Sequence, residues 1–427
     1  MLERFRLELS TVLLILAGVH LSAAAPPAPQ EQGFADELEV TVVNLDVYVR
    51  DREGRPVVDL TAEDFRLLQD GVEVPISNFA VFTGSGGAAG EGTGNSGDAV
   101  LPASLPPPRP VSVVLYIDNT NLLPLDRNRV INRLRDFVAE TLAPPVEMMV
   151  VASRPSLAVR QPFTYDVAAV TAALDGVAGH IGGRSARDQD RKQILDWMGQ
   201  AGRDPLRSAR RSLSSSGDGL LKAQVQAAIN SYVVQESDTL EDSLASLHEV
   251  VRLAEIRDGR GVVIHVSNGL PMIPGVDLAH QFEEAFRDIS VYNVVAQHSF
   301  AEEYRDLVQA AAARGVSIYA VDASGLQGLE GGAADRFAPM ARVAWVRQGN
   351  LQDSLRFMAD GTGGLAVLDT NDVSTGLRRI GDDFASYYSL GYTVPLGGED
   401  RKLRLEVELP EYPKLEVRHR GWVVEKS

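Results

Sequence analysis

From residue 111 onward, apolar residues come in short unbroken runs at 111–117, 146–152, 262–266, 316–321 and 365–368. Runs of this length, apolar at every position, predict strands buried on both faces, as in a parallel sheet covered by helices. Between them, apolar residues recur at helical spacing: Val130, Leu134 and Phe137; Leu244, Leu247, Val251 and Leu253; Leu377, Ile380 and Phe384. Alternating strands and helices predict a doubly wound α/β domain over 111–388.

The two ends follow a different period. Val43, Leu45, Val47 and Val49 alternate with Asn44, Asp46, Tyr48 and Arg50, which predicts a half-buried strand. A turn at 51–54, a capped helical turn at 61–64 and a hairpin turn at Asp70-Gly71 follow. Near the other end, Leu403, Leu405, Val407 and Leu409 alternate with Arg404, Glu406 and Glu408, and 415–424 predicts a further strand. Neither 36–82 nor 389–425 is long enough to bury a core alone. The expectation is one small β-sandwich built from both termini, with the α/β domain inserted between them.

Two other segments stand apart. Residues 83–110 are Gly/Ser-rich and then Pro-rich, a linker composition; its glycines have no preceding strand or following helix to make them a phosphate loop. Residues 163–235 read as a helical insertion near the ligand face of the sheet. It carries Arg203, Arg207, Arg210 and Arg211 at helical spacing, as a docking surface for an acidic partner or as a solvated face.

Composition narrows the chemistry. The chain has 427 residues, 44% hydrophobic and 23% charged, which suits a folded protein of about two domains. It has no cysteine, so disulfides, thiolate nucleophiles, zinc knuckles and iron–sulfur clusters are excluded. With 41 Lys+Arg against 58 Asp+Glu, the net charge of −17 disfavours nucleic acid and anionic membranes as partners. Residues 1–25 have a charged start, an apolar centre and Ala23-Ala24-Ala25 before Pro26, the pattern of a secretory signal peptide. The apolar centre is short of the ~20 residues that span a bilayer. The expectation is export to the periplasm or beyond, with no stable membrane insertion after cleavage; the alternative is a retained anchor.

The strongest chemical candidate follows the first α/β strand. In an open parallel sheet, ligands bind beyond the carboxyl ends of the strands. The run 111–117 ends in Asp118-Asn119-Thr120-Asn121-Leu122, an acid and a hydroxyl two residues apart, and oxygen ligands of this kind suit a hard cation such as Mg²⁺. The stretch resembles the first strand of a von Willebrand factor A domain, whose metal-ion-dependent adhesion site begins Asp-x-Ser-x-Ser. Asp64-Phe65, Asp70-Gly71, the turn Gly361-Thr362-Gly363-Gly364, Tyr387-Tyr388-Ser389-Leu390-Gly391-Tyr392 and Arg418-His419-Arg420-Gly421-Trp422 are similar to a bacterial von Willebrand factor A-related family first noted in acidobacteria. The resemblance covers nearly all of the chain after residue 25 and implies a Rossmann-like fold with a binding role.

It also implies a degenerate metal site. Asp118 matches the first acid, Thr120 stands for the first hydroxyl, Thr239 resembles the distant threonine ahead of a helix, and Asn268 replaces the usual acid before Gly269. Leu122 stands where the second hydroxyl belongs and cannot ligate; Asn121 or Asp277 could compensate. Asp118 has a second reading, in which it caps the following helix or ties neighbouring loops together. Asn119 and Asn121, with Arg203 and Arg207, are the candidate partner-binding residues.

No enzyme motif competes with this reading. There is no Gly-x-Ser-x-Gly elbow, and His248-Glu249 lacks the second histidine of a zinc-protease helix. His265 lies inside a buried strand, and Asp382-Asp383 falls on an amphipathic helix where solvation is the default. The function expected is a non-catalytic exported module that binds a protein partner through carboxyl-edge loops, with a divalent cation as the candidate cofactor. The alternatives are an envelope hydrolase with an unrecognised site and a structural module with a relic metal site.

Overall fold

A computed structural model describes residues 40–83, 109–153, 156–179, 183–202, 215–255, 259–326, 339–395 and 401–425. The signal-like segment 1–25, nearly all of the linker, and Arg203, Arg207, Arg210 and Arg211 lie outside the described residues. Strands are β1 Val40–Arg50, β2 Arg66–Gln69, β3 Val72–Val74, β4 Ile76–Phe82, β5 Val111–Ile117, β6 Val146–Ala152, β7 Ala158–Thr164, β8 Arg260–Ser267, β9 Val316–Asp322, β10 Ala366–Val367, β11 Tyr387–Pro395, β12 Arg401–Glu408, β13 Glu416–His419 and β14 Trp422–Glu425. Helices are α1 Pro124–Thr141, α2 Val167–Ala178, α3 Arg184–Gly202, α4 Ser215–Ala254, α5 Val276–Phe286, α6 Ser290–Ala296, α7 Ala301–Ala313, α8 Pro339–Thr362 and α9 Ser374–Ala385. Among the described residues, no helix is long and apolar enough to cross a membrane.

The central sheet has six strands in the order β10-β9-β8-β5-β6-β7. All pairings are parallel except that of the edge strand β7 with β6. Strand β5 shows why its run is apolar throughout. Val111, Val113, Leu115 and Ile117 enter a core with α1, α2 and α9, whereas Val114 and Tyr116 enter a second core with α4, α7 and α8. Each face of the strand is buried under helices, so no position tolerates a polar side chain without a partner.

The segment expected as an insertion, 163–235, divides in two. Val170, Leu174 and Val177 of α2 pack in the first sheet core. Helix α3 instead joins the first half of α4, α5, α6 and Val343 of α8 around Ile194, Met198, Val225, Ile229 and Phe282, a small helical core at the carboxyl end of the sheet. Helix α4 runs 40 residues and therefore serves both cores.

Two four-stranded sheets, in the orders β13-β1-β11-β4 and β14-β12-β2-β3, combine strands from both ends of the chain. Leu45 and Val47 of β1, Leu67 of β2, Tyr388 and Leu390 of β11 and Leu405 of β12 share one apolar core. The hairpin between β2 and β3 turns at Asp70 and Gly71, both at positive φ (50° and 79°), the left-handed geometry that favours Gly at the second position.

An ionic cluster joins these sheets to the amino end of the central one. Asp383 on α9 accepts from Arg50 Nη2 at 2.6 Å, from Arg418 Nη2 and from Tyr319 Oη at 3.1 Å. Arg260, the first residue of β8, pairs with Asp46 at 3.0 Å and lies 4.2 Å from the ring centre of Tyr387. The sequence expectation of a solvated Asp382-Asp383 pair is corrected here. Adjacent helix positions point about 100° apart, so Asp382 stays half exposed while Asp383 is buried.

Candidate functional site at the carboxyl edge

Strand register builds the site. Ile117 pairs with Ala152 on one side and Val266 on the other, so the next residue of each strand, Asp118, Ser153 and Ser267, comes into one row at the sheet edge. Asp118 follows Tyr116 on the α4 side of the sheet. Its carboxylate is the hub of a buried polar cluster. Oδ2 accepts from Asn121 Nδ2 at 2.9 Å and Ser267 Oγ at 3.1 Å, Oδ1 accepts from Ser153 Oγ at 3.2 Å, and His265 Nε2 lies 3.5 Å from Oδ2. Burial alone would raise the Asp118 carboxyl, but hydrogen bonds from His265, Asn121 and Ser267 outweigh it and hold the group below its ordinary value.

The neighbouring residues complete the cluster. Thr120 donates from Oγ1 to Ser153 Oγ at 3.1 Å. Asn121 also donates to Ser243 Oγ of α4 at 3.0 Å. Asn119 is fully buried, and its Oδ1 accepts from Arg127 Nη1 at 3.2 Å. Leu122 is fully buried in the first sheet core. Full burial of such a side chain is favourable by about 1.5–3 kcal/mol, which explains an apolar residue there better than any ligand role does. Asn268 accepts from Leu123 N at 3.0 Å and donates to Asp126 Oδ2 at 2.6 Å, tying the loop after β8 to the start of α1. Gly269 beside it has φ +86°, and a Cβ there would stand 2.7 Å from the Leu351 carbonyl oxygen.

Helix α3 lies over this edge. Arg184, Arg187 and Arg191 follow at i, i+3 and i+7 and so share one helix face. Arg184 is buried, with Nη1 3.4 Å from Asn121 O, 3.2 Å from Asn268 O and 3.0 Å from Gly269 O. Arg187 donates from Nη2 to Thr120 O at 3.1 Å and Asn121 Oδ1 at 2.7 Å, and pairs with Glu236 at 2.9 Å. Arg191 pairs with Asp277 at 2.6 Å. Arg347 of α8 pairs with Asp188, which also lies 3.6 Å from Arg184. Burial, then the charge of Arg347, lowers the Arg184 guanidinium below its ordinary value, though a guanidinium keeps its proton in any case.

Of the candidate ligands, the structure brings together Asp118 and Thr120, through Ser153, and sets Asn268 beside them on the next loop. Thr239 is a correction. It lies inside continuous helix α4 rather than in a loop ahead of a helix, and its hydroxyl donates to Gln235 O at 2.9 Å. The segment from 220 to 254 has no Pro or Gly to stop the helix, and Ser243, one turn further, is the α4 hydroxyl that reaches Asn121. Asp277, the candidate compensating acid, is engaged by Arg191. Asn119 and Asn121 are both buried and serve neighbouring groups of the same chain, so neither is offered to a partner.

These residues do not fit a divalent cation. The Asp118, Asn121 and Asn268 side-chain oxygens such an ion would use already accept from hydroxyls, amides and guanidinium groups of the same chain. Two unit charges about 4 Å apart interact by about 4 kcal/mol near a protein surface, and a doubly charged ion beside a guanidinium faces about twice that as repulsion. Among the described residues there is no group of three or more His, Asp or Glu that could hold a metal ion.

The chain matches no protein-family model and no curated protein. It is similar in structure to an aerotolerance-related membrane protein from Bacteroides fragilis, at 12% identity and a TM-score of 0.32, covering 64% of this chain and 98% of that one. Proximal thread matrix protein 1 of the mussel byssus, with a zinc-occupied MIDAS motif, matches at 12% and 0.31, covering 67% and 48%. Three N-terminal domains of the type V pili tip protein Mfa5 from Porphyromonas gingivalis match at 11% and 0.33, covering 91% and 66%. All three scores are low, and the α/β class rests on this chain's own strand order and packing.

Proposed function

We propose that the chain is an exported, non-catalytic protein-binding module of the von Willebrand factor A type, its α/β domain inserted into a β-sandwich made by both termini. The partner is received at the carboxyl end of the central sheet, on the outer surfaces of α1, α8 and the helical core rather than on the buried loops beneath. One observation carries this reading. Among the described residues, the six most exposed large apolar side chains are Leu125, Trp345, Leu220, Val72, Ile289 and Leu326. Leu125 lies in the first turn of α1 and Leu326 follows β9, both at the carboxyl edge; Trp345 on α8, Leu220 on α4 and Ile289 just before α6 are on the outside of the elements that build the helical core beyond it. Val72 alone of the six lies on the four-stranded sheets. Single exposed apolar residues are ordinary, but their gathering at one end is what an interaction face shows.

The buried Asp118–His265 pair gives no support to hydrolysis. The nearby Ser153 and Ser267 hydroxyls donate to the carboxylate of Asp118 rather than engaging His265, so neither serine is paired to a base. The net charge of −17 favours a partner with basic groups. The signal-like segment 1–25 supports export.

A photo-crosslinking side chain placed at Trp345, Leu125 or Val72 in the full chain, exposed to the envelope fraction of the source cells, tests the site. The expected result is one common adduct from positions 345 and 125 and none from 72. Adducts from position 72 alone would contradict it.

A further inference from the structure

The carboxyl edge gathers an oxygen set that a hard cation takes: the carbonyls of Thr120, Asn121, Asn268 and Gly269, the Asn121 carboxamide, and the Asp118 carboxylate next to it. All of these except the carboxylate meet a positive charge carried by the chain itself. We propose that Arg184 and Arg187 of α3 are a built-in cation, an internal ligand that takes the place of a divalent ion and makes the carboxyl edge metal-independent.

Geometry supports the assignment first. A guanidinium presents several donors in one plane and can satisfy several acceptors at once. Arg184 Nη1 faces carbonyls from both the loop after β5 and the loop after β8, so a single side chain ties together the two loops that a bridging ion would hold. Arg187 adds two further bonds to the loop after β5, to Thr120 O and Asn121 Oδ1.

Charge supports it next. Arg184, Arg187, Arg191 and Arg347 pair with Asp188, Glu236 and Asp277, and Arg187 and the Asp118 carboxylate meet through the side chain of Asn121. Four guanidinium groups already face these carboxylates, so a divalent ion would add positive charge where the chain has supplied it. Asn268 fits the same logic, because its neutral carboxamide adds no charge while still tying Leu123 to Asp126. Arg191 on Asp277 and Arg347 on Asp188 fix α3 at two further points, so the two inner arginines are held in place by ion pairs outside the oxygen set.

Mn²⁺ is the probe. In the wild-type full chain, the expected result is an undiminished spectrum of free Mn²⁺ by electron paramagnetic resonance and a Tm unchanged by Mn²⁺ or EDTA. In Arg184→Ala/Arg187→Ala the Tm falls, and either Mn²⁺ or dilute methylguanidinium restores part of it, with Mn²⁺ now taken up. In Arg184→Lys/Arg187→Lys the charge remains, and Mn²⁺ is still not bound. Stoichiometric Mn²⁺ uptake by the wild type would overturn the proposal. So would a folded double-alanine variant that responds to neither cation. If that variant does not fold, Arg187→Ala carries the rescue arm while the wild-type result stands by itself. None of these readouts involves a partner, so a failure of the crosslinking experiment leaves them intact.

Discussion

At the amino end of the central sheet, arginines from three distant strands, Arg50 of β1, Arg260 of β8 and Arg418 of β13, converge on Asp383 and Asp46 against tyrosine rings. At the carboxyl end, Arg184 and Arg187 of one helix engage loop oxygens largely through the backbone, and Arg191 of the same helix pairs with Asp277. The chemistry is shared, but the topology is not. The amino-end cluster draws its members from segments more than three hundred residues apart, so it closes a long loop of the chain. Three of the arginines of the carboxyl-end cluster sit on one helix, so substitutions on that helix can alter the edge without touching the sheet. One cluster joins parts of the fold, and the other fills a site within it.

Substitutions should separate the two clusters by size of effect. Asp383→Ala leaves the guanidinium groups of Arg50 and Arg418 without their buried acceptor. Removing one partner of a buried ion pair costs about 3–5 kcal/mol, and urea unfolding is expected to show a loss of that order. If the loss were below that of Asp118→Ala, the amino-end cluster would not be the stronger joint.

Asp118→Ala is expected to cost about 2–3 kcal/mol, because the donors on Ser153, Ser267 and Asn121 lose a buried acceptor. The same variant should flatten the acid limb of stability. The folded Asp118 value is below the unfolded one, so its contribution is present above the ordinary carboxylate range and is lost as pH falls through the folded value. Equal acid limbs in wild type and variant would show that Asp118 is not held as described.

Tyr388→Phe probes a third region, between the two four-stranded sheets, where the hydroxyl accepts from Leu60 N at 3.1 Å. Burial pushes the Tyr388 phenol up to about 12. A raised value means stability that is present below the ordinary 10.0 and is lost as pH rises toward about 12. The variant should lose about 1 kcal/mol near neutrality and less at high pH, so its alkaline limb becomes shallower. The smallest effect is expected at Thr239→Ala, within about 0.5 kcal/mol and with no change at the carboxyl edge, since its hydroxyl serves only its own helix.

The sequence showed some of this and hid the rest for physical reasons. Unbroken apolar runs located β5, β6, β8, β9 and β10, because a strand covered on both faces has no polar side to interrupt the signal. The antiparallel edge strand β7 gave no such signal, being half-exposed and carrying Arg160, Gln161 and Pro162. Asp118 was found from its place at a strand end. The same rule extends to Ser153 and Ser267, each of which ends or directly follows an apolar run, so they were within reach of sequence reasoning. Arg184, Arg187 and Arg191 show helical spacing, but nothing local says which carbonyls that face meets. Thr239 was placed by resemblance to a motif, and the helix that carries it ran on past the expected boundary. Asp383 could not be told from Asp382 without knowing which way α9 turns, because its partners lie on strands far away in the chain.

The central claim is that the chain's own guanidinium groups close the carboxyl edge. Amide hydrogen exchange over Asp118–Leu123, followed in EDTA for wild type and Arg184→Ala, addresses it most directly. The account predicts slow exchange in the wild type without any metal, unchanged by Mg²⁺, and fast exchange at these amides in the variant while β5 stays protected. Fast wild-type exchange in EDTA that Mg²⁺ slows would contradict it.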